Sequence, residues 1–220
     1  MRFLVLYTSS LLALAGLSFT LIGCPTETNE TSTDAGTDTT IGCKLPYVGD
    51  EAADMQLEIV TLDPSYKAQP FTDGGNASIL QPPQGGRVVF LGVRAKNLDP
   101  CGVKLAGAIR DPATMETRLD TRTVNLDVPG DGWAESDETD ISTFSNVPVC
   151  SNTWASTDVF DQTFKMIVSV TDRAGKKATA TYDVVPRCDE VKIENGQDVQ
   201  KDCLCICKQG YVTGQSCAAN

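Results

Sequence analysis

Between Phe164 and Val185 the chain changes hydropathy at every second residue, and that period leaves few folds open to it. Phe164, Met166, Val168 and Val170 fall on one side of an extended segment; Ala178, Ala180, Tyr182 and Val184 fall on one side of the next. Side chains alternate faces along a strand, so each segment has one apolar face to bury. The intervening Thr171-Asp172-Arg173-Ala174-Gly175-Lys176 supplies a hairpin loop in which Gly175 can take a positive φ. Upstream, Met55, Leu57 and Ile59 alternate with polar residues, and so do Val103, Leu105 and Ile109. Arg87–Ala95 (RVVFLGVRA) is nearly continuous apolar sequence, as expected of a central strand covered on both faces. Leu119–Val128 and Ile141–Val149, the latter with Phe144 and Val147, complete seven strands, and no stretch of helical period competes with them. Pro64–Gly86, with four prolines and four glycines, resists assignment to a strand. Seven strands joined by Pro- and Gly-rich turns predict an all-β antiparallel sandwich over residues 43–188.

Cysteine and histidine usage narrows the chemistry. The chain has nine cysteines and no histidine. Without histidine there is no imidazole base, no Ser-His or Cys-His nucleophile pair, and no imidazole ligand for zinc or copper. No G-x-S-x-G, S-x-x-K or Gly-rich phosphate loop occurs, so the reading is non-catalytic. Five cysteines (Cys188, Cys203, Cys205, Cys207 and Cys217) fall at the end of the domain and in a tail, residues 189–220, that is otherwise poor in apolar residues. Cysteines two apart on a strand point the same way, so Cys203, Cys205 and Cys207 each need a distant partner; the tail is read as stapled and not packed.

Residues 1–23 carry a single charge, Arg2, followed by a mostly apolar run broken at Thr8-Ser9-Ser10, which is the plan of a signal peptide. The run ends in Leu21-Ile22-Gly23-Cys24, which resembles the lipobox of bacterial lipoproteins. The resemblance implies cleavage before Cys24 and a diacylglycerol on its thiol, hence a protein attached to a membrane of the cell envelope. Pro25, not Asp, follows the cysteine, and by the sorting rule of enterobacterial lipoproteins this implies the outer membrane. Residues 25–42 contain seven threonines, four acids and no basic residue, so residues 24–42 read as a lipidated cysteine and a disordered tether. Removing residues 1–23 takes away only Arg2 and moves the net charge from −11 to −12, a poor match for nucleic acid or anionic headgroups. The closing hairpin, VSVTDRAGKKATATYDVVP, resembles the last two strands of bacterial immunoglobulin-like and fibronectin type III-like domains.

Three features are candidates for ligand chemistry. Counted from Asp127 as position 1, Asp131, Gly132, Glu135 and Glu138 stand at positions 5, 6, 9 and 12 of a calcium loop. Position 3 is Pro129 and the flanks are strands, so the competing reading is a solvated acidic turn. Trp133 and Trp154 fall in loops, where each is either a stacking platform for a sugar or protein, or a cap on the sandwich core. A thiolate metal cluster at Cys203, Cys205 and Cys207 competes with disulfides, and an exported chain favours disulfides.

Strand order also sets the bridges. Cys43 precedes the first strand and Cys101 follows the second, so both lie at one pole of an antiparallel sandwich. Cys150 follows the fifth strand and lies at the other pole, where the tail begins. Bridged Cα atoms lie within about 7 Å, so the expected pairs are Cys43–Cys101, Cys150 to a tail cysteine, and two bridges local to the tail. The functional expectation is a lipid-anchored envelope module that binds a protein or serves as a scaffold. The alternative is a carbohydrate-binding surface lipoprotein, assisted by calcium.

Overall fold

A computed structural model describes residues 42–217. The expected signal peptide, the expected lipidation of Cys24 and the expected tether, all but Gly42, lie outside the described residues. In chain order the strands are β1 (Gln56–Leu62), β2 (Ala68–Pro70), β3 (Gly75–Ser78), β4 (Arg87–Lys96), β5 (Val103–Arg110), β6 (Thr117–Val124), β7 (Ala134–Glu135), β8 (Ser145–Cys150), β9 (Phe164–Thr171), β10 (Lys177–Arg187), β11 (Ile193–Glu194) and β12 (Gln197–Asp198). One helix, α1 (Val199–Ile206), follows.

Two five-stranded sheets face each other. The first runs β2-β1-β4, and the far edge of β4 pairs with β7 near one end and β8 near the other. The second runs β3-β10-β9-β5-β6. Ile59, Val89, Leu91 and Val93 from the first sheet meet Leu105, Ile109, Met166, Val168 and Val170 from the second in one buried cluster. The expected hairpin forms, and its register sets Phe164, Met166, Val168 and Val170 opposite Val184, Tyr182, Ala180 and Ala178. Its loop closes through Gly175, at φ +84°.

The continuous apolar run of β4 has the physical cause expected of it. Its inward residues fill the sandwich, while Val88 and Phe90 point outward into a second cluster with Val60, Leu62, Leu80 and Phe144. Gly92 makes room there, since a Cβ would lie 2.5 Å from the Phe144 ring. Between the sheets, Gly107 does the same for Ser145: a Cβ would lie 2.6 Å from its hydroxyl oxygen, and the Gly107 amide donates to that oxygen at 3.1 Å. Asp120 then stitches β6 to β8, accepting from the Asn146 amide at 2.8 Å and from the Ser145 hydroxyl at 3.1 Å.

Four details correct the sequence reading. The Pro64–Gly86 segment does contain strands, β2 and β3, and β3 runs parallel to β10, so the second sheet is mixed. Residues 141–143 form a 3-10 turn, and the strand begins only at Ser145, because Asp140 caps the Ser142 amide and ends the extended backbone. The seventh segment does not stop at Val185 but runs to Arg187. In the cysteine-rich tail Cys203 and Cys205 lie on a helix, not on a strand, and that helix is packed: Val199, Cys203 and Cys207 are buried. Among the described residues no helix is long and apolar enough to cross a membrane.

Candidate functional site

The acidic loop is organised by a residue that the sequence reading passed over. Arg94 stands on the outward face of β4, where the apolar packing of Phe90 and Phe144 ends. Strand register puts Glu58 of β1 directly on one side of it and Glu135 of β7 on the other. Its guanidinium donates to Glu58 at 2.9 Å, to Asp131 at 2.7 Å and to Glu135 at 3.1 Å. Trp133 lies over the same group, 5.1 Å from ring centroid to guanidinium carbon, a cation–π contact. Burial opposes the charge of Arg94, but the bond to Asp131 and the fields of Glu58 and Asp131 override it and push its pKa up.

This arrangement spends the carboxylates in another way than a calcium loop would. Asp131 and Glu135 both go to Arg94. Glu138 turns away, accepting from Lys67 and from the Ala68 amide, each at 2.8 Å, and these bonds lower its pKa. Asp127 and Glu135 pair through their backbones, each amide donating to the other's carbonyl at 2.8 Å. The four candidate ligands Asp127, Asp131, Glu135 and Glu138 therefore do not converge on one point; the loop is an ion-paired turn. Beside it lies a cleft of about 520 Å³ whose lining includes Arg94, Asp127, Glu135, Asp137 and Glu138. Trp133, half-buried, does not line this cleft but stacks on Arg94, which does.

Trp154 has a different place. Its indole donates to the Val149 carbonyl at 2.9 Å, and its ring lies 5.6 Å from that of Phe164. Arg118 covers it, 5.7 Å from the ring centroid. Trp154 thus caps the end of the core, as the simpler of its two readings required.

All eight cysteines of the described residues are bridged: Cys43–Cys101, Cys150–Cys207, Cys188–Cys203 and Cys205–Cys217. Cys43 and Cys101 meet at one pole, Cys150 reaches the tail, and two bridges are local to residues 188–217. The helical period explains the assignment. Cys203 and Cys207 lie one turn apart on the buried face of α1, while Cys205 points away from it toward Cys217. The sulfurs of Cys188, Cys203 and Cys207 lie within 4.8 Å of one another, the one such convergence of three candidate ligand atoms among the described residues. Each is already spent in a disulfide, so none offers a thiolate to a metal. Compared with known proteins, the chain matches no family model and no curated protein.

Proposed function

We propose that this chain is a non-catalytic, lipid-anchored protein of the cell envelope, held at the outer membrane, whose immunoglobulin-like domain serves as a binding or scaffolding module. The observation that supports it most is the cysteine count. Nine cysteines occur in the sequence, eight are consumed by four disulfides, and Cys24 is the one left over. An unpaired thiol directly after Leu21-Ile22-Gly23 is what acylation requires, and acyl chains give a firm membrane anchor. The lack of histidine and of a nucleophile motif supports a binding role over catalysis.

The test is metabolic labelling with a palmitate analogue and membrane fractionation of the wild type and of Cys24→Ser. The wild type takes up label and sediments with outer membranes. Cys24→Ser loses both properties. A Cys24→Ser protein that stays membrane-bound after cleavage of its leader defeats the proposal. A second reading, carbohydrate binding at the acidic loop, draws on the cleft beside Trp133; its test is a change of tryptophan fluorescence on addition of polysaccharide.

A further inference from the structure

The outward face of the second sheet differs in charge from the rest of this acidic chain. Strand register aligns its side chains in rows. Lys104 of β5 and Lys177 of β10 flank Thr171 of β9 in the first row. In the last row Arg110 of β5 lies directly opposite Lys165 of β9. Like charges opposite each other across strands destabilise a sheet. Asp183 of β10 pairs with Lys165 and is the single carboxylate of these rows. Lys104, Arg110 and Lys177 have no ion-pair partner among the described residues, in a chain of 29 acids and 18 bases.

Between the two cationic rows the face is uncharged and rich in hydroxyls. Ala106 and Ala108 form the floor of a shallow trough along β5. Thr121 and Leu119 of β6 stand on one side of it, and Ser169 and Ile167 of β9 on the other. Thr179 and Thr181 of β10 extend the hydroxyl surface beyond Ser169 and Ile167. Lys104 and Arg110 mark the two ends of the trough, six residues or about 20 Å apart at strand rise. No aromatic side chain stands in these rows, so recognition on this face rests on charge and hydroxyls and not on stacking. Threonine and serine hydroxyls match sugar hydroxyls, and the cations match an acidic group carried at intervals along a chain.

We infer that the outward face of the second sheet binds an acidic polysaccharide, lying along the β5 trough with its carboxylates on Lys104, Arg110 and Lys177. A polymer with one charge per sugar fits this site better than duplex nucleic acid, whose denser charge would be repelled by the acidic remainder of the protein. The inference does not rest on the lipid anchor or on the cleft beside Trp133.

Affinity electrophoresis and calorimetry on the detergent-solubilised full chain test it, with polygalacturonate as the probe and dextran as the neutral control. Polygalacturonate binds at low salt and dextran does not. Lys104→Glu/Lys177→Glu weakens binding by about tenfold or more, as expected for reversal of two surface ion contacts. Lys96→Glu/Lys201→Glu changes the net charge equally, on β4 of the other sheet and on α1, and leaves binding within about twofold. Should the reversed variant fail to fold by circular dichroism, Lys104→Gln/Lys177→Gln takes its place with a smaller loss in the same direction. Absence of polygalacturonate binding overturns the inference, as does an equal loss in both charge-reversed pairs. Equal affinity for polyglutamate removes the sugar from it, and binding only to phosphatidylglycerol vesicles replaces it with a membrane contact.

Discussion

The firmest energetic expectation concerns Arg87, which fastens the tail helix to the sandwich. Its side chain is 3% exposed, and it donates to Asp202 at 2.7 Å and to the Val199 carbonyl at 3.0 Å. Substitution by Met keeps the aliphatic stem against its surroundings and removes the charge. Removing one member of a buried ion pair costs about 3–5 kcal/mol, chiefly because the other charge is left without compensation. Asp202 keeps 18% exposure and still accepts from Gln197 at 3.0 Å, so the lower figure, about 3 kcal/mol, applies. Adding Asp202→Asn removes the stranded charge and should return about 1–2 kcal/mol. The measurement is guanidinium unfolding of the disulfide-intact protein, with hydrogen exchange at the α1 amides. The disulfides from Cys203 and Cys207 keep the helix attached, so loss of docking shows as faster exchange in α1 and an earlier unfolding midpoint. A loss below about 1 kcal/mol, or no recovery on adding Asp202→Asn, would refute the claim that this pair docks the tail.

Three further outcomes follow from packing, titration and cross-linking. Gly107→Val should cost about 1–3 kcal/mol by overpacking against Ser145 and Leu91, and an unchanged melting temperature would contradict the close approach of the sheets. Burial works to raise the Asp111 carboxyl, but hydrogen bonds from the Ser156 and Ala113 amides, at 2.6 and 2.8 Å, hold it at about 2, below its ordinary 3.8. That stability is fully present above pH 3.8 and is lost as pH falls toward 2; it amounts to about 2 kcal/mol, and acid titration of Asp111→Asn should lack that component. Cys150→Ala/Cys207→Ala opens a bridge of sequence separation 57 and should cost about 4 kcal/mol, more than Cys205→Ala/Cys217→Ala with its separation of 12, and the reverse order of melting temperatures would count against the chain-entropy account.

The sandwich was legible because each apolar face in it has period two and few competitors. Even the departure from that period at Val88–Leu91 was informative, since Phe90 is covered by Phe144 and Tyr66 outside the sheet. β2 and β3 were not legible. Each is short, one includes Pro70 and the other Gly75, and both take their place from pairing with β1 and β10, not from their own pattern. The acidic loop misled for a related reason. The spacing of Asp127, Asp131, Glu135 and Glu138 counts oxygens along the chain, but Arg94 and Lys67, distant in sequence, decide where those oxygens point. One signal was present in the sequence: Arg94 is the lone charge between Val88 and Ala95, and a charge there must find partners on the adjacent strands.

The tail shows how one period can hide inside another. Cys203, Cys205 and Cys207 alternate, which on a strand would put three sulfurs on one face. The same segment also carries Val199, Cys203 and Cys207 four residues apart, and it begins with Asp198, whose carboxylate accepts from the Lys201 amide at 3.0 Å as a helix N-cap. An isolated helix of eight residues is marginal in water, so propensity alone would not hold α1. It forms because its buried face is bonded to Cys188 and Cys150 at the end of the sandwich where β8 and β10 finish, and because Arg87 reaches across to its first turn. The pairing and the helix therefore imply each other. With Cys203 and Cys207 on one side of the axis and Cys205 on the other, two sulfurs can reach the domain while the third is left to Cys217. On a strand all three would have faced the domain together.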